Sequence, residues 1–183
     1  MTKANPPPNK PDLLILSSTT RSRESTWCVL RSLHCNSLAP VKTDIEVWSD
    51  LQEAHDTVCD EGLVPDDSSV KFPRIDPTAS DGGWEYVTYG SGDATARAER
   101  VRQRVKRLSG SYRNIFLITH GSFITFLVKG EKFEIDEWRS YRFASEWEVE
   151  EARHDFNCDT YVEQDYGPTL LLPTSVVDDK VST

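Results

Sequence analysis

Two side chains of this sequence are candidates for acid–base chemistry, and each comes soon after a run of residues that is predicted to form a strand. His120 follows the run Asn114–Thr119, and a histidine can accept or donate a proton near neutral pH. Glu53 comes a few residues after the alternating run Asp44–Trp48. A carboxyl group there is a candidate general acid.

A pair of arginines supplies the positive charge that an anionic ligand requires. Arg21 and Arg23 follow the polar stretch Ser17–Thr20, where a strand is predicted to give way to a helix. The N–H groups at such a junction and the helix dipole also favour an anion. The pair therefore marks a candidate anion site.

Each of these residues also has an ordinary structural explanation. His120 could be a core histidine whose ring is hydrogen-bonded to a backbone carbonyl, and Glu53 could be a solvated carboxylate in a loop. The two arginines could be ordinary charged residues on the surface of the first turn of a helix. The functional interpretation depends on whether the fold brings them together.

The order of predicted elements indicates an α/β fold. Strands are predicted over 12–17, 44–48 and 114–119, and helices over 18–35, 94–108 and 122–128. Alternating strands and helices imply parallel pairing with right-handed crossovers. Since such sheets carry their sites at the carboxyl ends of the strands, the candidate residues are expected at one edge.

The rest of the chain divides into a lead-in, a domain and a tail. Residues 1–11 carry four prolines and are predicted to be a disordered lead-in, and 12–163 are predicted to form one domain. Residues 164–183 have the composition of a tail, although 169–172 could add an edge strand. A further strand is predicted within 138–149.

In its motifs the chain resembles the histidine phosphatase (phosphoglycerate mutase-like) superfamily, most closely fungal phosphoglycerate mutase-like proteins. The resemblance covers roughly residues 11 to 150 and depends on the order and spacing of several motifs together. These are Pro11–Ser18 ahead of an arginine-bearing helix, Leu51–Glu53 followed by Cys59–Asp60, Val101–Leu108, Ile118–Gly121 and Glu137–Phe143.

The resemblance implies a fold and a set of roles. The fold would be a three-layer sandwich with a mostly parallel sheet, and the activity phosphoryl transfer or phosphate-ester hydrolysis without a cofactor. His120 would be the second histidine of the site and Glu53 the proton donor. Arg21 or Arg23, with Gly121, would bind the phosphate, although the family's arginine position falls on Ser22 between them.

The family's nucleophile is the main departure from this resemblance. Its nucleophilic histidine belongs to an Arg-His-Gly motif on a strand that precedes the Ser17 segment, and the sixteen residues before Ser17 contain no histidine. We therefore expect a truncated phosphoglycerate mutase-like fold that is inactive alone. The alternative is a pseudophosphatase that acts as a binding module, and the open sheet edge would then suit a protein partner or a second copy.

Net charge limits the classes of partner. Twenty-one Lys and Arg against 30 Asp and Glu give a net charge of −9, which argues against nucleic acid and anionic membranes. The basic segment 97–107 holds six basic residues and one acidic residue. A solvated face that pairs with the acidic 56–93 region explains it better than a nucleic-acid site. A phosphorylated small molecule remains the expected ligand.

Cysteine and histidine spacing indicates no metal centre. His55–Cys59 and His154–Cys158 share an i, i+4 spacing that could suit zinc, but four cysteines without a CxxC pair make coincidence the better explanation. The polar, proline-rich start lacks the apolar stretch of a signal peptide, and a cytoplasmic location is expected.

Overall fold

A computed structural model describes residues 11–17, 43–54, 91–134 and 137–174 of the chain. Along these residues lie seven strands, three α-helices and a short 3₁₀ turn at Ser49–Leu51. The strands are β1 Leu13–Ser17, β2 Asp44–Trp48, β3 Ile115–Ile118, β4 Tyr141–Phe143, β5 His154–Phe156, β6 Glu163–Asp165 and β7 Leu171–Pro173. The helices are α1 Ser91–Leu108, α2 Gly121–Leu127 and α3 Glu146–Ala152.

A three-stranded parallel sheet forms the centre of the fold, in the order β2-β1-β3. Leu13 of β1 is in register with Asp44 of β2 and with Ile115 of β3. β1 is the middle strand because its run Leu13–Leu16 is apolar at every position, as suits a strand covered on both faces. The chain is therefore a mixed α/β protein with a small parallel sheet.

The two faces of the sheet carry different side chains of β1. Leu13 and Ile15 pack with Trp48 and with apolar residues of α1 and α2, whereas Leu14 and Leu16 pack with Val47 on the opposite face. Helices α1 and α2 thus belong to one layer. The helix predicted over 18–35 lies outside the described residues.

The prediction that the basic residues of α1 form a solvated face is wrong for two of them. Arg97 and Arg102 are fully buried. The buried apolar residues of α1 form a stripe of Ala94, Ala98, Val101 and Val105. At about 100° per residue the two arginines lie roughly 70° to either side of its centre, and these borders face the protein. Arg100 and Arg104 are more exposed and pair with Asp50 and Glu46, at 2.7 and 3.2 Å.

Three described ion pairs of the basic helix involve the carboxylates of Glu46, Asp50 and Asp93. The acidic partners Glu46 and Asp50 belong to β2 and the 3₁₀ turn, and Arg97 pairs with Asp93 in the first turn of α1. Asp93 is the one acidic residue of the predicted 56–93 region that the structure describes, and the other acidic residues of that region lie outside the described residues. The guanidinium of Arg104 also lies 4.0 Å above the Trp48 ring, so α1 is joined to β2 by charge and by a cation–π contact.

Helix α2 is anchored through the carbonyls of its last turn, which have no partner within a helix. Thr125 O accepts from Asn157 Nδ2 and from the Tyr166 hydroxyl, at 3.2 and 3.1 Å. Phe126 O accepts from Gln164 Nε2 and from Arg102 Nη1, both at 2.9 Å. The β5–β6 segment and α1 therefore both dock on the same helix end.

Residues 164–174 belong to the folded structure, in contrast to the tail predicted from Gln164 onward. β6 pairs antiparallel with β5, and β7 pairs antiparallel with β4. Tyr166 and Leu170 are buried, with 1% and 2% of their surface exposed. β7 overlaps the strand considered for 169–172 but pairs with β4 in a separate two-stranded sheet, and residues 175–183 lie outside the described residues.

Strand β4 does not extend the parallel sheet in the part of the chain that the structure describes. Its hydrogen-bonded neighbour there is β7, in a separate two-stranded sheet. The segment before β4 instead contacts the face of β3, where the Trp138 and Phe116 rings lie 5.5 Å apart. Over the described ranges, β3 thus has β1 as its single paired strand.

Candidate functional site

The carboxyl ends of the three parallel strands bring Ser17, Glu53 and His120 to one edge of the sheet. Ser17 is the last residue of β1, Glu53 follows the 3₁₀ turn after β2, and His120 lies two residues after β3. The parallel register sets this convergence, because Leu16 pairs with both Val47 and Ile118. The edge predicted from the α/β pattern therefore exists.

His120 is held by a direct contact with Ser17. Its Nε2 lies 3.0 Å from Ser17 Oγ, across 103 positions of sequence. His120 is half-buried, whereas Ser17 is fully buried. The contact fixes the imidazole at the end of β1, with its ring at the sheet edge.

Sequence reasoning missed the role of Ser17, which it treated only as part of the polar stretch before Arg21 and Arg23. The signal that identifies it is the strand register. A residue that follows Leu16 in β1 must lie beside the residues that follow Ile118 in β3. The hydroxyl of Ser17 is thereby placed against the imidazole of His120.

Glu53 directs its carboxylate to the first turn of α2. Its Oε1 accepts the backbone N–H of Phe123 at 2.9 Å and that of Ala54 at 2.7 Å. The first N–H groups of a helix lack partners within the helix, and a carboxylate satisfies one of them here. Glu53 is half-buried, so the solvated loop carboxylate considered above does not describe it.

The segment that carries Glu53 is tied to its neighbours on two sides. Thr119 donates its hydroxyl to the carbonyl of Leu51 at 2.8 Å, which joins the end of β3 to the 3₁₀ turn. Arg97 donates to the carbonyls of Gln52 and Glu53, both at 2.9 Å. Backbone contacts from β3 and α1 thus fix the position of this short loop.

Gly121 is the first residue of α2 and is exposed. A Cβ atom placed there would meet nothing within 4 Å. The glycine is therefore not required by close packing inside the protein, and its role in phosphate binding stays a prediction. Arg21 and Arg23 fall outside the described residues, and their predicted role stays a prediction as well.

Metal-binding patterns receive no support from the described part of the chain. No group of three or more His, Cys, Asp or Glu side chains that could hold a metal ion occurs within it. His154 lies at the start of β5 and Cys158 in the turn after it, so the helical i, i+4 geometry weighed for zinc does not apply to this pair. His55 and Cys59 lie outside the described residues.

None of the helices in the described ranges is both long enough and apolar enough to cross a membrane. Comparisons of the whole sequence with models of known protein families and with curated proteins find no match.

Proposed function

We propose that this chain is a phosphoglycerate mutase-like protein of the histidine phosphatase superfamily that binds a phosphorylated small molecule at the sheet edge formed by Ser17, Glu53 and His120. The observation that supports the proposal is the convergence of these three side chains on the carboxyl ends of parallel strands. An imidazole can hold a phosphate oxygen, and a carboxyl group can protonate a leaving oxygen. The three-layer fold implied by the resemblance is part of the same proposal.

Turnover by this chain alone is not part of the proposed function. The four histidines are His34, His55, His120 and His154, and none precedes Ser17, where the family's nucleophile belongs. His154 is exposed on β5, where its backbone is in register with Asp165 of β6. Phosphoryl transfer to histidine requires an in-line nucleophile, and neither His120 nor His154 stands in the family's nucleophile position.

The geometry of Glu53 favours a binding module over a catalyst. Because Oε1 already accepts two backbone N–H groups, a proton passed to a leaving group would have to be carried on Oε2. An enzyme of this family uses its carboxyl group as a proton donor, whereas here one oxygen is committed to holding α2. The catalytic alternative therefore needs a nucleophilic histidine and a proton on Oε2 of Glu53.

Ligand-dependent thermal stability tests the binding proposal. The full chain is heated with orthovanadate or inorganic phosphate over 0 to about 10 mM, and binding to the folded state should raise the Tm. His120→Ala should abolish the rise. His154→Ala, which changes an exposed histidine on β5, is the matched control and should keep it.

Two outcomes would contradict the proposal in different ways. No Tm shift of the unmodified chain with either anion would mean that the sheet edge binds no phosphate. Hydrolysis of p-nitrophenyl phosphate that disappears in His120→Ala would mean that the chain is a catalyst by itself. The same titration on Arg21→Gln and Arg23→Gln decides which arginine holds the anion.

A further inference from the structure

We infer that Arg97 is the positioning residue of the sheet-edge site: it fixes Glu53 by binding both the loop that carries Glu53 and the helix that receives its carboxylate. The inference concerns the proposed phosphate site and rests on that proposed function for its consequence on ligand affinity. Arg97 does not itself need to touch a ligand.

The first set of contacts joins Arg97 to the backbone of the loop. Its Nη1 donates to Gln52 O at 2.9 Å and to Asp50 O at 3.3 Å, and its Nη2 donates to Glu53 O at 2.9 Å. One planar guanidinium thus binds three carbonyls of a four-residue stretch. A lysine ammonium, which lacks this rigid fork, cannot hold the same set in the same geometry.

The second set of contacts reaches α2. The Arg97 guanidinium carbon lies 4.7 Å from the centre of the Phe123 ring, and the Phe123 N–H donates to Glu53 Oε1. Arg97 therefore contacts both residues whose hydrogen bond places the carboxylate. Arg97, Glu53 and Phe123 thus contact one another pairwise.

Because burying a charged side chain is costly, the contacts of Arg97 indicate a role in fixing the loop that carries Glu53. Arg97 has 1% of its side chain exposed, and its ion-pair partner Asp93, 2.9 Å away, has 28% exposed. Replacing a buried ion pair by apolar residues of similar volume is often neutral or stabilising, so such a pair is weak evidence for a role in stability. A fixed loop geometry is what the arginine supplies and an apolar residue would not.

Arg102 provides a matched control on the same helix. It is equally buried, pairs with Glu99 at 2.9 Å and donates to the carbonyls of Phe126 and Leu127. Its contacts lie at the opposite end of α2 from Glu53. Lysine variants at the two positions therefore both lose a buried guanidinium group. They differ in which end of α2 loses its contacts with that group.

Amide hydrogen exchange tests the inference without any ligand. Full-length Arg97→Lys and Arg102→Lys are compared by NMR, with Arg97→Met as the more severe change where it folds. We expect exchange of the Ala54 and Phe123 amides to rise at least tenfold more in Arg97→Lys than in Arg102→Lys. Equal rises in the two variants, or no rise in either, would overturn the positioning role.

Anion affinity then tests the consequence for the site. The dissociation constant for orthovanadate should rise at least fivefold in Arg97→Lys and stay within twofold in Arg102→Lys. In a Glu53→Ala background the Arg97→Lys effect should fall below twofold, because it acts through Glu53. An undiminished effect in that background would overturn the assignment.

The two measurements separate failure of the inference from failure of the proposed function. If the unmodified chain binds no vanadate, the proposed function is wrong, while the exchange rates still decide whether Arg97 fixes Glu53. If vanadate binds and the two lysine variants behave alike in both measurements, the function stands and the role of Arg97 does not.

Discussion

The parallel sheet and the segment 137–174 are held together by different forces. In the sheet, the four apolar residues of β1 have no exposed surface, and burial of aliphatic side chains dominates. In 137–174 the strands are three residues long and pair in twos. Leu171 of β7 belongs to the apolar core, whereas the β5–β6 segment is attached to α2 by polar side chains. One chain thus uses an apolar core and a polar network side by side.

The polar network of 137–174 is as well buried as the core beside it. Asn157 and Gln164 have 1% and 7% of their surface exposed, and their side chains bond to each other at 2.8 Å. Burial raises the pKa of Tyr166, whose hydroxyl binds Thr125 O, to about 12. Buried polar groups that are satisfied add specificity, and removing one partner leaves another without its hydrogen bond.

The largest effect that separates the two regions is expected at the middle strand. Leu14→Ala should lower the free energy of unfolding by about 2–5 kcal/mol, because it leaves a cavity in a fully buried position. Urea denaturation measures the loss. Leu172→Ala in β7, where the leucine is half-buried, is the control and should cost less than half as much. Equal losses would show that the two regions share one kind of core.

A smaller effect is expected from the polar network. Asn157→Ala removes the amide that donates to Thr125 O and Gln164 Oε1, and should cost about 1–3 kcal/mol. Thr174→Ala, which removes an exposed hydroxyl bonded to Ser140 O, should change stability by less than about 0.5 kcal/mol. If the two substitutions cost the same in urea denaturation, the buried network adds nothing beyond surface hydrogen bonds.

The smallest effect concerns the exposed ion pair at the start of α3. Hydrogen bonds from Arg142, and then from the backbone and hydroxyl of Ser145, lower the pKa of Glu148 from 4.5 to about 2. A lowered pKa in the folded state means that the pair stabilises the fold above about pH 4.5. That contribution is lost as the pH falls towards 2.

NMR titration of the Glu148 carboxyl carbon checks this value directly. Arg142→Gln should raise the pKa of Glu148 towards its ordinary value, since Arg142 is the main cause of the shift. Solvent screens the exposed pair, so the effect on overall stability should be slight. An unchanged pKa in Arg142→Gln would assign the shift to Ser145 and the capping box instead.

Periodicity predicts the elements of the sheet region because their buried faces are apolar. The predicted strand 44–48 matches β2, and the predicted helix 94–108 lies within α1. The same method assigned 164–183 to a tail, because β6 and Tyr166 are held by polar side chains and by an ion pair between Arg153 and Asp165. Amides and hydroxyls bonded to carbonyls carry no periodic pattern.

In the candidate site, too, some residues could be predicted from the sequence pattern, whereas others are identified only by their contacts in the folded structure. His120 and Glu53 could be predicted because each follows a strand of a parallel sheet. The contacts of Ser17 with His120 and of Arg97 with Glu53 span 103 and 44 residues. The sequence predicts that an arginine in a basic run is exposed. Only the folded structure shows that the side of the helix that carries Arg97 packs against the protein.

The central position of β1 also has a consequence for how this chain folds. Leu13 pairs with Asp44, 31 residues later, and with Ile115, 102 residues later. The closure entropy of the longer loop is larger, and contacts of high sequence separation slow folding. During synthesis β1 and β2 can therefore meet early, whereas the third strand, and with it His120, can join only after the long segment between Leu13 and Ile115 has left the ribosome.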